Sequence, residues 1–238
     1  VSKRAWIIFI VIIVGLLSAL VIWSHNSSPS LNVGSVDVNT IQSASKTNGN
    51  IADHVFGKAD SKVILTEYGD YQCPGCGSAD PGVEKIINEY QDYIGFIFRN
   101  YPLTSIHQNA LAAAGAAEAT GLQGKYWEIH KLLYERQSDW EYTSDADRTA
   151  KFVSYATELG LDATKFKSDL SSDSVAQKIK FDQALGNKVG VKSTPTFYIN
   201  STIQPESTLQ DLQQSKGDKL RDAIDAALVK AGVTPPKR

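Results

Sequence analysis

The 238-residue sequence predicts an α/β domain: strand, helix and strand, then a block of helices, then a closing strand and helix, with one apolar segment in front. Three observations carry this. "KVILTEYGDY" from Lys62 and "GFIFRNYPL" after it are β-rich and mostly apolar, as buried strands are. Between them, "SADPGVEKIINEYQDY" places Val83, Ile86, Ile87 and Tyr90 at i, i+3, i+4 and i+7, one face of a helix. From Leu103 to Lys188 the residues favour helices, and "TPTFYIN" then returns to strand character.

The first element is not globular. "WIIFIVIIVGLLSALVIW", residues 6–23, carries no charge and ends in tryptophan on both sides. A bilayer-spanning helix needs about 17–25 apolar residues, and aromatic rings favour the headgroup level. Lys3 and Arg4 lie in the short segment 1–5 before it, which predicts a cytoplasmic N-terminus and an extracytoplasmic domain. The run is expected as an uncleaved single-pass anchor in the cell membrane. A cleaved signal peptide is the alternative, and both export the same domain. Residues 24–50, rich in Ser, Asn and Thr, are expected as a flexible linker reaching on the order of 30 Å.

The folded part starts at residue 51. Pro81 and Gly82 are expected to kink the early part of the first helix, and Pro102 to end the second strand. In the helical region 103–188, "NALAAAGAAEATG" has high helix propensity, with Gly121 as its C-cap. "KYWEIHKLLYE" aligns Tyr126, Ile129 and Leu133 on one face, and "KFVSYATELG" aligns Phe152, Tyr155, Ala156 and Leu159 before Gly160. Asp162 caps the next helix, and "SDSVAQKIKFDQALG" is expected to close at Gly186. Residues 189–238 hold the last strand, with Pro195 at its head, and a helix striped by Leu220, Ile224, Ala227 and Leu228.

With 24 basic and 26 acidic side chains, nothing in the composition points to nucleic acid. Two cysteines are too few for a disulfide-stapled scaffold. Both lie in "YQCPGC", as Cys73 and Cys76. A structural zinc site needs more ligands than one pair and scattered His25, His54, His107 and His130 supply. A purely structural disulfide across so short a loop gains little chain entropy. Inert buried thiols would make Pro74-Gly75 an odd core sequence. The remaining reading is a redox pair, which its spacing beside a strand–helix–strand pattern favours. Cys73 would start the helix, where unpaired N–H groups and the dipole stabilise an anion, with Pro74 suited to the first position. That makes Cys73 the attacking thiolate and Cys76, one turn on, the resolving thiol.

"TEYGDYQCPGC", "FRNYPL" and "GVKSTPTFYIN", in that order, resemble the DsbA-like branch of the thioredoxin superfamily, and in particular membrane-anchored bacterial thiol–disulfide oxidoreductases. The resemblance covers nearly all of Ile51 to Gly232. It implies a thioredoxin-like fold split into residues 51–102 and 189–238, with the helical insert 103–188 capping the active site. It also implies a cis Pro195 facing the cysteines, where the sequence alone leaves a trans proline at a strand start as the other reading. Thr194 would then offer its backbone to an extended substrate. Glu67, six residues before Cys73, matches an acidic position beneath the disulfide in similar proteins. It is a candidate proton acceptor for Cys76, or an ordinary strand carboxylate; Asp70 is a weaker candidate, and His107 is read as structural. Gly75 departs from the pattern, since relatives often carry a hydrogen-bond donor there. The activity implied is transfer of the Cys73–Cys76 disulfide to reduced exported proteins, with reoxidation by a quinone-linked membrane protein and no metal or organic cofactor. A reductase or isomerase on the same fold, or a non-catalytic peptide-binding chaperone module, are the alternatives.

Overall fold

The structure is a computed structural model that describes residues 6, 9–16, 18 and 31–237. The chain divides into two units, Val1–Asn32 and Val33–Arg238. In the first, the described residues between positions 6 and 18 are helical, and the apolar side chains among them are exposed. The rest of the expected anchor lies outside the described residues. No helix among the described residues is long and apolar enough to cross a membrane.

The second unit is built on a five-stranded sheet of order β1-β3-β2-β4-β5, comprising β1 (Val55–Gly57), β2 (Ile64–Gly69), β3 (Gly95–Asn100), β4 (Thr196–Ile199) and β5 (Thr202–Ile203). β2 and β3 run parallel, from Ile64 opposite Gly95 to Gly69 opposite Asn100. Parallel neighbours need a crossover, and α1 (Pro74–Glu89) supplies it. Every residue of β2 and β3 is buried, as expected of a central strand covered on both faces. β4 pairs antiparallel with β2, setting Glu67 opposite Phe197 and Tyr68 opposite Thr196. α1 continues through Pro81 and buries Cys76, Ala79, Val83, Ile86 and Ile87.

Between β3 and β4 come α2 (Ala110–Gly121), α3 (Tyr126–Glu135), α4 (Gln137–Trp140), α5 (Asp145–Glu158), α6 (Ala163–Leu170) and α7 (Asp173–Val189). α2 is nearly all alanine and glycine on its buried positions, which lets α3, α6 and α7 approach it closely. Asp162 caps α6 by accepting from the N–H groups of Thr164 and Lys165. After the sheet, α8 (Glu206–Gln213) packs on α1, and α9 (Asp218–Lys230) buries Leu220, Ile224 and Leu228.

Two expected helix ends shift. α7 passes through Gly186 and stops at Gly190, whose φ of 84° is the left-handed cap. Gly186 is there for packing: a Cβ would lie 2.7 Å from the Tyr101 ring. Gly121 likewise belongs to α2, where a Cβ would meet the His54 ring at 2.5 Å.

The larger correction concerns the expected linker, residues 24–50. From Val33 on, this segment is a strap laid on the domain. Lys188 donates to the carbonyls of Val33, Gly34 and Val36, and Arg99 donates to those of Val38 and Thr40. A turn of 3-10 helix, Lys46–Asn48, packs on α7, with Asn48 buried. The strap leads to Asp53, which pairs with Arg99 at 2.9 Å and with Lys178 at 2.9 Å. Lys178 also holds Asp182 at 2.6 Å. All four groups are buried, and the two cations hold the Asp53 carboxyl well below the usual range against the opposing effect of burial. Composition suggested a solvated chain because the strap's side chains are polar. Its backbone carbonyls do the anchoring.

Candidate functional site

Cys73 is the residue immediately before α1, with extended backbone (φ −71°, ψ 121°), and Pro74 opens the helix. The first amides of α1 therefore point at the Cys73 sulfur with no intrahelical partner. Cys76, one turn later, is fully buried. The elements around them are locked by side chains of the helical insert. Gln137 on α4 donates to the carbonyls of Tyr71 and Cys73, at 2.7 and 3.1 Å. Gln72 accepts from the Asn109 amide and donates to the Glu141 carbonyl. Asp70 accepts from the amides of Gln72 and Leu103 and binds His107 Nδ1 at 2.8 Å. The insert thus holds both the loop that carries Cys73 and the start of its helix.

On the other side, the Thr194–Pro195 peptide bond is cis, and the Cys73 thiol donates to the Thr194 carbonyl at 3.3 Å. A Cβ placed on Gly75 would sit 3.5 Å from Cys73 Sγ and 3.6 Å from Pro195 Cδ. Cys73, Gly75, Thr194 and Pro195 therefore form one contiguous patch. The two residues before β4 meet the residues that start α1, although about 120 positions separate them in sequence.

The two thiols have opposite electrostatic settings. Cys73 is held down at about 5, chiefly because the Cys76 thiol donates to it. The Thr194 side chain and the N–H groups of Gly75 and Cys76 add to this, and burial opposes it. The Thr194 hydroxyl is buried without a hydrogen-bond partner among the described residues. It is the donor at hand once Cys73 ionises and can no longer donate to the carbonyl. Cys76 is pushed well up, first by burial, then by the hydrogen bond it donates to Cys73, then by the nearby Glu67. Glu67 itself is buried on β2, and its carboxyl is raised by burial, by Asp80 and by the Cys73 charge. Such a pair suits nucleophilic exchange through Cys73, with a proton stored inside the protein.

Of the residues singled out in the sequence, Cys73, Cys76, Thr194, Pro195 and Glu67 come together here. Asp70 is spent on loop amides and His107. Sequence reasoning missed Gln137, Gln72, Asp80 and Gln213, the last reaching the Gly75 carbonyl at 3.4 Å from α8. A faint signal for α8 existed, since Thr208 and Leu212 are spaced for one helical face and both are buried.

Comparison with known proteins agrees with this geometry. The sequence profile of the family described as Thioredoxin matches residues 49–225. The thiol-disulfide exchange protein alpha-DsbA2 from Wolbachia pipientis is 24% identical, with a TM-score of 0.61 over 73% of this chain and 86% of that one. A thioredoxin-like oxidoreductase from Silicibacter pomeroyi is 27% identical, with a TM-score of 0.55 over 71% of this chain and 92% of that one. The Na(+)/H(+) antiporter NhaA 1 of Salinispora arenicola is 38% identical over 148 residues, which are 62% of this chain and 22% of the antiporter. The chain spans about a fifth to a quarter of the length of the curated relatives it matches. The chain belongs to the thioredoxin family and has the fold of the DsbA-type thiol–disulfide oxidoreductases.

Proposed function

We propose that the chain is an extracytoplasmic oxidase that passes a Cys73–Cys76 disulfide to the thiols of exported proteins. The observation that carries this reading is the contrast between the two sulfurs. Cys73 ionises near 5 at a helix start, beside the Thr194–Pro195 turn, while the buried Cys76 keeps its proton. Ionisation stabilises the dithiol form, and stabilising the reduced form makes the disulfide a stronger oxidant.

In the forward reaction a substrate thiolate attacks Cys73 Sγ, and the Cys73–Cys76 bond breaks. Cys76 leaves with the electron pair and takes a proton from Glu67. A second substrate thiolate then attacks its own mixed-disulfide sulfur, forming the substrate disulfide and expelling the Cys73 thiolate. The Thr194 backbone, at the head of β4, is the place where an extended substrate adds as a strand. A quinone-linked membrane protein closes the cycle by reoxidising the pair, and residues 6–23 hold the domain at the membrane.

The test is the equilibrium of the pair against a glutathione redox buffer. A potential in the range of strong oxidants, about −120 to −180 mV, supports an oxidase. A potential near −270 mV indicates a reductase instead. Protease added outside intact cells tests the topology: digestion of the domain supports the anchor with an outward face, and protection refutes it.

A further inference from the structure

Glu67 is buried close to Cys73, so a proton that leaves or reaches it while a protein covers Cys73 needs a route other than the substrate-facing patch. A second route lies along α1. Asp80, one turn beyond Cys76, is within electrostatic reach of Glu67 and lies 3.4 Å from His130 Nε2 on α3. The opposite nitrogen, His130 Nδ1, is 2.9 Å from the Tyr71 hydroxyl. The buried Tyr134 hydroxyl has no hydrogen-bond partner among the described residues, and it feels the charges of Cys76, Glu67 and Asp80. Asp80 and His130, with 12% and 8% of their side chains exposed, form part of the wall of a cavity of about 100 Å³ between α1, α3 and β1. Phe56 and Trp127 wall it, and the Glu84–Lys131 ion pair stands beside it. That space is large enough to admit water, and Asp80 and His130 offer it polar partners. None of Cys73, Gly75, Thr194 or Pro195 lines it.

We propose that Asp80 and His130 are the proton port of this site: they exchange protons between the cavity and Glu67 beneath Cys76, on a surface that bound substrate leaves open. The port rests on the oxidoreductase reading given above. Its chemical need comes from Glu67. While Cys73 is a thiolate, its charge helps keep the Glu67 carboxyl protonated, so Glu67 cannot act as a base. Formation of a mixed disulfide removes that charge. Glu67 then releases its proton outward through the port and accepts the proton of Cys76. The Cys76 thiolate attacks Cys73 Sγ, the Cys73–Cys76 bond forms, and the outer thiolate leaves. The other titratable groups facing the pair are Tyr71 and Tyr126, both kept neutral by burial, the half-exposed Glu84 and the exposed Lys131.

Asp80 and His130 act through Glu67 and not on sulfur, so they are positioning residues, and the test reads the two sulfur steps separately. The reduced full-length chain is mixed with oxidised glutathione, quenched with acid, and the mixed disulfide is followed by mass spectrometry from pH 5 to 9. In Asp80→Asn and His130→Gln, formation of the mixed disulfide at Cys73 is expected to keep its rate and pH midpoint. Its resolution by Cys76 is expected to slow at least tenfold in dilute buffer, with an altered pH profile. Imidazole is expected to restore resolution in His130→Gly. Glu84→Trp, at a half-exposed position lining the cavity, keeps the buried pair intact and is expected to slow the same step by obstructing access, with the melting temperature unchanged. Parental resolution rates in Asp80→Asn and Glu84→Trp, or a slow step that imidazole does not relieve, would overturn the port and leave Cys73 chemistry standing. An unreactive Cys73 in the parent chain would overturn the oxidoreductase reading and the port with it.

Discussion

The setting of Cys73 makes the stability of the reduced protein depend on pH in a way the oxidised protein cannot share. A thiol whose ordinary value is 9.0 and whose folded value is about 5 binds fewer protons folded than unfolded throughout that window. The reduced fold therefore gains stability as pH rises from 5 to 9, and loses it as pH falls through 5. The full slope is about 1.4 kcal/mol per pH unit, which accumulates to about 2.7 kcal/mol by pH 7. Solvent screening at the partly open sulfur reduces this to on the order of 2 kcal/mol. The disulfide has no proton to exchange at this site, so the same amount enters the redox equilibrium. For a two-electron couple, about 2 kcal/mol raises the potential by roughly 40 mV. The assay is urea unfolding of the reduced and oxidised proteins at pH 5 and pH 7, together with thiolate absorbance of the reduced protein near 240 nm. The reduced-minus-oxidised stability should rise by about 2 kcal/mol between the two pH values, and the absorbance midpoint should fall near 5. A midpoint near 9, or a stability difference that ignores pH, would refute the reasoning.

Other outcomes follow from the same geometry. Cys76→Ser should accumulate mixed disulfides with substrate, visible on non-reducing gels, and Cys73→Ser should not; equal trapping would reverse the assignment of nucleophile. Thr194→Val removes a buried hydroxyl beside the sulfur while keeping its shape, so the absorbance midpoint of Cys73 should move up from about 5, and an unmoved midpoint would exclude the hydroxyl as a donor. Gly75→Ser has space, with its Cβ 3.5 Å from Cys73 Sγ, and should lower that midpoint and raise the redox potential; a midpoint that rises would mean the hydroxyl turns away. Lys178→Met leaves the buried Asp53 and Asp182 short of a cation and should cost about 3–5 kcal/mol in urea unfolding, so a loss below about 1 kcal/mol would show that Arg99 suffices.

The parts of the site that were legible in sequence are those set by local chain geometry. Cys73 and Cys76 are a helical turn apart, and Pro74 announces the helix start, so the position of the sulfurs could be reasoned from "CPGC" alone. Glu67 could be nominated but not given a state. Its protonation depends on burial beside Phe98 and Phe197 and on Asp80, which only the sheet register and the fold of α1 supply. The strap was misread for a related reason. The Ser, Asn and Thr side chains between Val33 and Asn50 look solvated, whereas the interactions that fix this segment use its carbonyls and basic residues far along the chain. Gly186 misled because a glycine that admits a tyrosine ring looks, in sequence, the same as one that ends a helix.

The strap also decides where a mechanical load would go. A pull on the chain ahead of Val33 meets the three carbonyls gripped by Lys188, then the two gripped by Arg99, before it reaches β1. Those cations are rooted in α7 and β3, and neither element carries Cys73, Cys76 or Thr194. Tension from whatever precedes the domain is therefore grounded in its scaffold, and the spacing between the sulfurs and the Thr194–Pro195 turn stays insulated from it.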